Sequence, residues 1–158
     1  MATINASGVI SATAAGSITN YTIKLSNASS SNSGIGTFWY AWVPGKDFLA
    51  TSPVSVSPPV GWTDNITNMG AGDGFAIQFL ANSPAYDVQP GSSLNFSFTS
   101  ADSPTSVNGN SVFYPGTPTN TATVYPQGPF SDAGHQFVVT PAPTPTPTPK
   151  RGRGALGV

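Results

Sequence analysis

His135 is the sole histidine in this chain, which has no cysteine and no glutamate. A Ser-His-Asp hydrolase needs a base, an acid that orients it and a nucleophile in reach. Ser131 and Asp132 lie near His135, but Ser131-Asp132-Ala133-Gly134-His135 is no nucleophile turn. Serine is also so abundant that any histidine has one close by. A zinc site draws on several His, Cys or carboxylate ligands, and one His with no Cys places none. The expectation is a non-catalytic protein with no cofactor. The aspartates leave one metal option, a structural calcium ion held by loop oxygens at Gly72-Asp73-Gly74 and Asp64-Asn65. Neither stretch has the ligand density of an EF-hand, and loop Asp and Asn more often close turns on their own backbone.

The aromatic residues offer the second kind of chemistry. Trp39, Tyr40, Trp42 and Trp62 could form a platform on which pyranose faces stack, and they are the candidate ligand-binding residues. The competing expectation is burial, since aromatics dominate β-rich interiors. Trp62, in a Pro-rich stretch, is the better surface candidate of the four. Lys24 is the one candidate for a Lys-Asn isopeptide bond, but period-two alternation turns it to the wet face, where that chemistry does not run. Asn-X-Ser/Thr sequons stand at Asn5, Asn20, Asn27, Asn65 and Asn95, most of them expected by chance in so Asn-, Ser- and Thr-rich a chain.

Charge narrows the partners. Charged residues are 7% of the chain. Residues 1–149 carry −4, from Lys24 and Lys46 against six aspartates, while Lys150, Arg151 and Arg153 give the end +3. A mildly acidic body argues against nucleic acid, which needs clustered Lys and Arg. No run approaches the roughly 18 apolar residues of a membrane helix, so no transmembrane segment is expected. Met1–Asn5 lacks the basic start and apolar stretch of a signal peptide, so an exported form is expected to have lost its leader.

The elements that position these residues read as strands. Tyr21–Leu25 and Leu94–Thr99 alternate apolar and polar, and in Gly74–Leu80 Phe75, Ile77 and Phe79 share one side. Thr37–Val43 predicts a central strand covered on both faces, with Phe38, Tyr40 and Trp42 on one side and Trp39 and Val43 on the other. Further strands are expected at Ile4–Thr13, Thr121–Tyr125 and Gln136–Thr140. Turn residues such as Pro44-Gly45 and Gln89-Pro90-Gly91 separate them. Residues 50–67 and 101–120, each with several prolines, read as long connections. The fold class expected is all-β, an antiparallel β-sandwich of immunoglobulin-like or jelly-roll-like kind. It should occupy 1–140. A Pro-Thr polyproline II stalk should follow at 141–149, then a short, disordered basic tail at 150–158.

Four phrases carry a resemblance: Phe38–Gly45, Pro59–Thr63, Gly74–Phe79 and Pro90–Leu94. They resemble bacterial exported β-sandwich proteins, many of which end in a PEP-CTERM-type sorting tail. The resemblance implies a secreted or surface-displayed sandwich and no particular activity. Together with the uncharged polar composition, it leads to the expectation of an extracellular structural or adhesive protein. Such a protein would act at the bacterial surface as a surface-layer or filament subunit. Its partners would be other copies or an extracellular matrix or polysaccharide, with residues 1–16 exchanging between subunits. A carbohydrate-binding module on a Pro-Thr linker is the alternative.

Overall fold

The computed structural model describes residues 3–68, 74–127 and 133–143. The fold is all-β, with one single-turn helix and one short 3-10 turn among the described residues.

The first sheet is built on a hairpin. Strand β1 (Ala6–Ala15) and strand β2 (Ile18–Asn27) pair antiparallel over their full length, closed by a two-residue loop with Gly16 at φ 72°. Strand β9 (Ser93–Ser100) pairs with the other side of β2, and β6 (Ser55–Ser57) pairs with β9. On the far side of β1 lies β12 (Thr140–Pro141), the one parallel partner. The order is therefore β12-β1-β2-β9-β6.

The second sheet centres on β3 (Thr37–Tyr40), all four residues of which are buried. It is flanked by β10 (Thr121–Tyr125) and β8 (Ala76–Ala81), with β11 (His135–Val138) and β7 (Trp62–Thr67) at the edges, all antiparallel. Residues 50–67, read as a connection, thus hold two strands, β6 and β7. The 101–120 connection holds only the helical turn α1 (Pro104–Val107), started by Ser103 Oγ accepting from Ser106 N–H.

Alternation aims one face of each sheet at the other. Tyr21, Ile23, Leu25, Phe96 and Phe98 from the first sheet share a core with Phe38, Tyr40, Ile77, Phe79 and Val124 from the second. Rings meet across the interface: Phe38 and Phe96 centroids lie 5.1 Å apart edge-on, Phe79 and Phe96 4.8 Å, and Tyr40 and Phe98 5.4 Å. Such pairs each add about 0.5–1.5 kcal/mol beyond their burial.

Two expectations change. The central strand does not run on to Val43, because Ala41 takes a left-handed φ of 59° and reverses the chain. Strands β4 (Trp42–Val43) and β5 (Lys46–Asp47) then form a small hairpin of their own. The sheet also continues past Thr140: Pro141 lies in β12, and Ala142 N–H donates to Ile10 O at 2.8 Å. The first residues of the expected stalk are thus strand rather than polyproline II. Residues 144–158, with most of the Pro-Thr repeat and all of the basic tail, lie outside the described residues.

Candidate functional site

The four aromatic candidates do not form a surface platform. Trp62 is 5% exposed, Trp39 8%, Trp42 4% and Tyr40 fully buried. Trp62 opens β7 pointing inward, its ring edge-on to Phe96 at 5.0 Å and its Nε1–H donating to Tyr86 O at 2.9 Å. The turn that aims it inward needs Gly61, at φ 84°, because a Cβ there would sit 2.1 Å from the Tyr86 ring. Tyr40 points into the core, and its hydroxyl donates to Asn120 Oδ1.

Trp39 and Trp42 end up together, against the alternation that would separate them. The reversal at Ala41 folds the β4–β5 hairpin back over the outer face of the second sheet. It lays Trp42 flat on Trp39, with centroids 3.5 Å apart and planes 2° from parallel. Ala76 and Tyr125 complete this small cluster. Thr123 Oγ1 donates to Trp42 O at 2.9 Å and Phe48 N–H to Ala41 O at 2.9 Å, pinning the fold-back. Trp39 Nε1–H donates to Thr67 Oγ1 at 3.3 Å, and Thr67 Oγ1 to the buried Asp47 Oδ2 at 2.8 Å. Both indoles are spent on each other, so neither offers a face to a sugar.

What stays open belongs to the first sheet. Its outer face is a lattice of small polar side chains, with Ser11, Thr22, Ser97 and Ser57 in one cross-strand row and Thr13, Asn20, Thr99 and Ser55 in the next. Thr22 and Ser97 hydroxyls share a hydrogen bond at 3.2 Å, and Ser55 and Thr99 at 2.7 Å. A shallow depression of about 270 Å³ lies among these hydroxyls. Lys24, opposite Asn95, is the one charged side chain on the described strands of this sheet.

The edge of β1 is the second open feature. β12 covers it at Val9 and Ile10, and no described strand pairs with it from Ser11 to Ala15. Those five residues are exposed and contain neither charge nor proline. Beside them runs a groove of about 360 Å³ bounded by Ile10, Ala12, Pro104, Asn108 and Pro143. An edge of this kind is a template for an added strand.

No match to this chain is found among protein-family models, curated proteins or solved structures.

The remaining candidates scatter. His135 is half-buried in β11, opposite Val124, and Ser131 and Asp132 lie outside the described residues. Lys24 is exposed on the wet face, as its alternation predicts. Asp64 and Asn65 are exposed on β7, and Gly72 and Asp73 lie outside the described residues. Among the described residues no three His, Cys, Asp or Glu side chains group as a metal site. Asn27, one of the sequons, is buried, with its amide donating to Ser33 O and Val88 O at 2.9 Å.

One polar cluster escaped the sequence altogether. Tyr21 Oη donates to Asp102 O at 2.6 Å, Thr51 Oγ1 to Asp102 Oδ1 at 2.7 Å, and Asn120 Nδ2 to Asn108 Oδ1 at 2.7 Å. These bonds tie the 101–120 connection to the end of the core. Burial pushes the Tyr40 phenol well above its usual range, helped by the neighbouring Tyr21 and Asp102 charges, and burial also raises Tyr21. Phenols held protonated act here as hydrogen-bond donors, which is a structural role.

Proposed function

We propose that this chain is a non-catalytic structural or adhesive domain of the bacterial exterior, a β-sandwich that assembles with further copies of itself. Supporting the sandwich reading are the two sheets, antiparallel but for the β1–β12 pair, whose inward rings share one core. Supporting assembly is the half-edge Ser11–Ala15, which lacks the charges, prolines and bulges that edge strands normally use to discourage pairing. Backbone hydrogen bonds from that edge to a second copy would need no ligand and no cofactor. Residues 1–16 are not proposed to exchange between subunits, because β1 pairs with its own β2 over all ten of its residues through a two-residue loop. Electron microscopy and size-exclusion chromatography of the purified chain at high concentration test this. Oligomers or filaments are expected, and monomers throughout would contradict it.

A second reading has an observation of its own. The lattice of Ser, Thr and Asn on the outer face of the first sheet could hydrogen-bond a polysaccharide chain without any stacking aromatic. Pull-down by insoluble polysaccharide that is abolished by Thr22→Val with Ser97→Ala would favour it over self-assembly.

A further inference from the structure

The outer face of the second sheet also holds a cleft. The β4–β5 hairpin covers that face at Trp39, where Trp42 lies on it. Two residues earlier, at Thr37 and its partner Leu80, the cleft opens with a volume of about 370 Å³. Its acidic group is Asp87, which follows the 3-10 turn Pro84–Tyr86. Paired backbone bonds of 3.0 Å between Ile35 and Val88 hold this segment against the chain that leads into β3. The carboxylate sits over two glycines. A Cβ at Gly34 would meet Asp87 Oδ2 at 3.1 Å, and one at Gly36 would meet Asp87 Oδ1 at 3.1 Å and Pro126 O at 2.3 Å. Neither glycine has a positive φ, so both answer to space rather than to a turn.

No described residue answers this charge. Among the described residues no hydrogen bond or cation reaches the Asp87 carboxylate, and burial alone raises its pKa. Lys24 stands on the outer face of the first sheet, Lys46 lies over the Tyr114 ring, and His135 pairs with Val124 in β11. A charge drawn partly out of water without a partner is costly, and a cationic donor entering the cleft offsets that cost. The rest of the lining sets which cation fits. Leu80, Ala81 and Pro84 supply apolar wall, while Asn82, Ser83 and Gln127 supply neutral polar groups on other sides. An ammonium carries three diverging donors, one for the carboxylate and two for neutral oxygens, whereas a guanidinium presents its donors in one plane. We propose that this cleft binds a primary ammonium group on a short apolar stem, with Asp87 as its anion. The site belongs to the second sheet and does not rest on the assembly reading.

Titration of the full chain with n-butylammonium chloride, followed by amide chemical shifts at neutral pH and constant ionic strength, tests this. Saturable shifts are expected at Gly36, Asn82, Ser83 and Asp87. n-Butanol, the same stem without the charge, should bind at least about tenfold more weakly, the worth of one charge-assisted hydrogen bond. Asp87→Asn should weaken n-butylammonium by a similar factor, in a variant whose spectrum elsewhere is unchanged. Shifts that never saturate would overturn the proposal, and so would equal binding of n-butanol and n-butylammonium, a comparison that needs no variant. Undiminished binding by Asp87→Asn would overturn it as well. N-acetyl-lysinamide separates the two sources of an ammonium. Binding as tight as n-butylammonium assigns the site to a lysine side chain of another protein, and exclusion assigns it to a free amine; the ammonium site stands in both cases.

Discussion

The two sheets share a core but treat their outer faces in opposite ways. The second sheet covers its central strand with the β4–β5 hairpin, sealed by the Trp39–Trp42 stack at 3.5 Å and the Thr67–Asp47 hydrogen bond. The first sheet leaves its outer face to hydroxyls and amides, and beyond Ile10 no described strand pairs with its β1 edge. The difference teaches that aromatic content and openness to partners are separated here. Large rings go to places where water is excluded, and the surfaces left for contact carry side chains too small and too neutral to bury much area. A partner of such a surface must be held by repeated hydrogen bonds.

The contrast can be broken first at the shared core. Phe96 touches Phe38, Phe79 and Trp62, so Phe96→Ala should cost about 3–5 kcal/mol, read as a lower denaturant midpoint. Trp42→Ala attacks the cover of the second sheet alone. Its cost should fall near the lower end of that range, about 3 kcal/mol, with loss of the near-ultraviolet dichroism of the stacked indoles. A cost near zero would mean that the hairpin does not cover the sheet. The reversal itself is probed at Ala41: a β-branched side chain is an outlier at positive φ, so Ala41→Val should cost about 2 kcal/mol. Ala41→Gly should be near neutral, because relief of backbone strain offsets the lost buried methyl and the greater freedom of the unfolded chain.

The smallest expected effect concerns Asp87, whose carboxyl burial raises above the ordinary 3.8. A carboxyl with a raised folded pKa favours folding most at low pH, and that contribution is lost as pH climbs through the raised value. Asp87→Asn should flatten the decline in stability just above pH 4. An unchanged slope in pH-dependent denaturation would show that Asp87 is not the group responsible.

Much of this arrangement was legible as pattern. The alternation of Tyr21–Leu25 and Leu94–Thr99 located β2 and β9 and their buried faces, and the apolar run at Thr37–Tyr40 located the central strand. The reversal at Ala41 was not legible, because alanine at positive φ carries none of the Gly or Pro signals that mark a turn. With that reversal missed, Trp42 was set on the wrong face. Trp62 was misplaced for the opposite reason. The prolines before it spoke for a surface loop, while the contact that buries it depends on Tyr86, distant in sequence. The strands inside residues 50–67 were hidden by the same prolines. The Tyr21–Asp102 and Tyr40–Asn120 bonds join residues about eighty apart, and no local pattern announces them. The Pro-Thr repeat was read as a stalk from composition, and composition carries no sign that its first residue, Pro141, pairs with Ile10 in β12.

The central claim is that the first sheet makes the contacts, through the backbone of β1. Ala12→Pro tests it most directly. It removes an N–H from the free edge while leaving the β2-facing groups of Val9, Ser11 and Thr13 untouched. Sedimentation velocity of the full chain across a range of concentrations should show association in the unaltered protein and monomers in the variant. Association of equal strength in both would contradict the account.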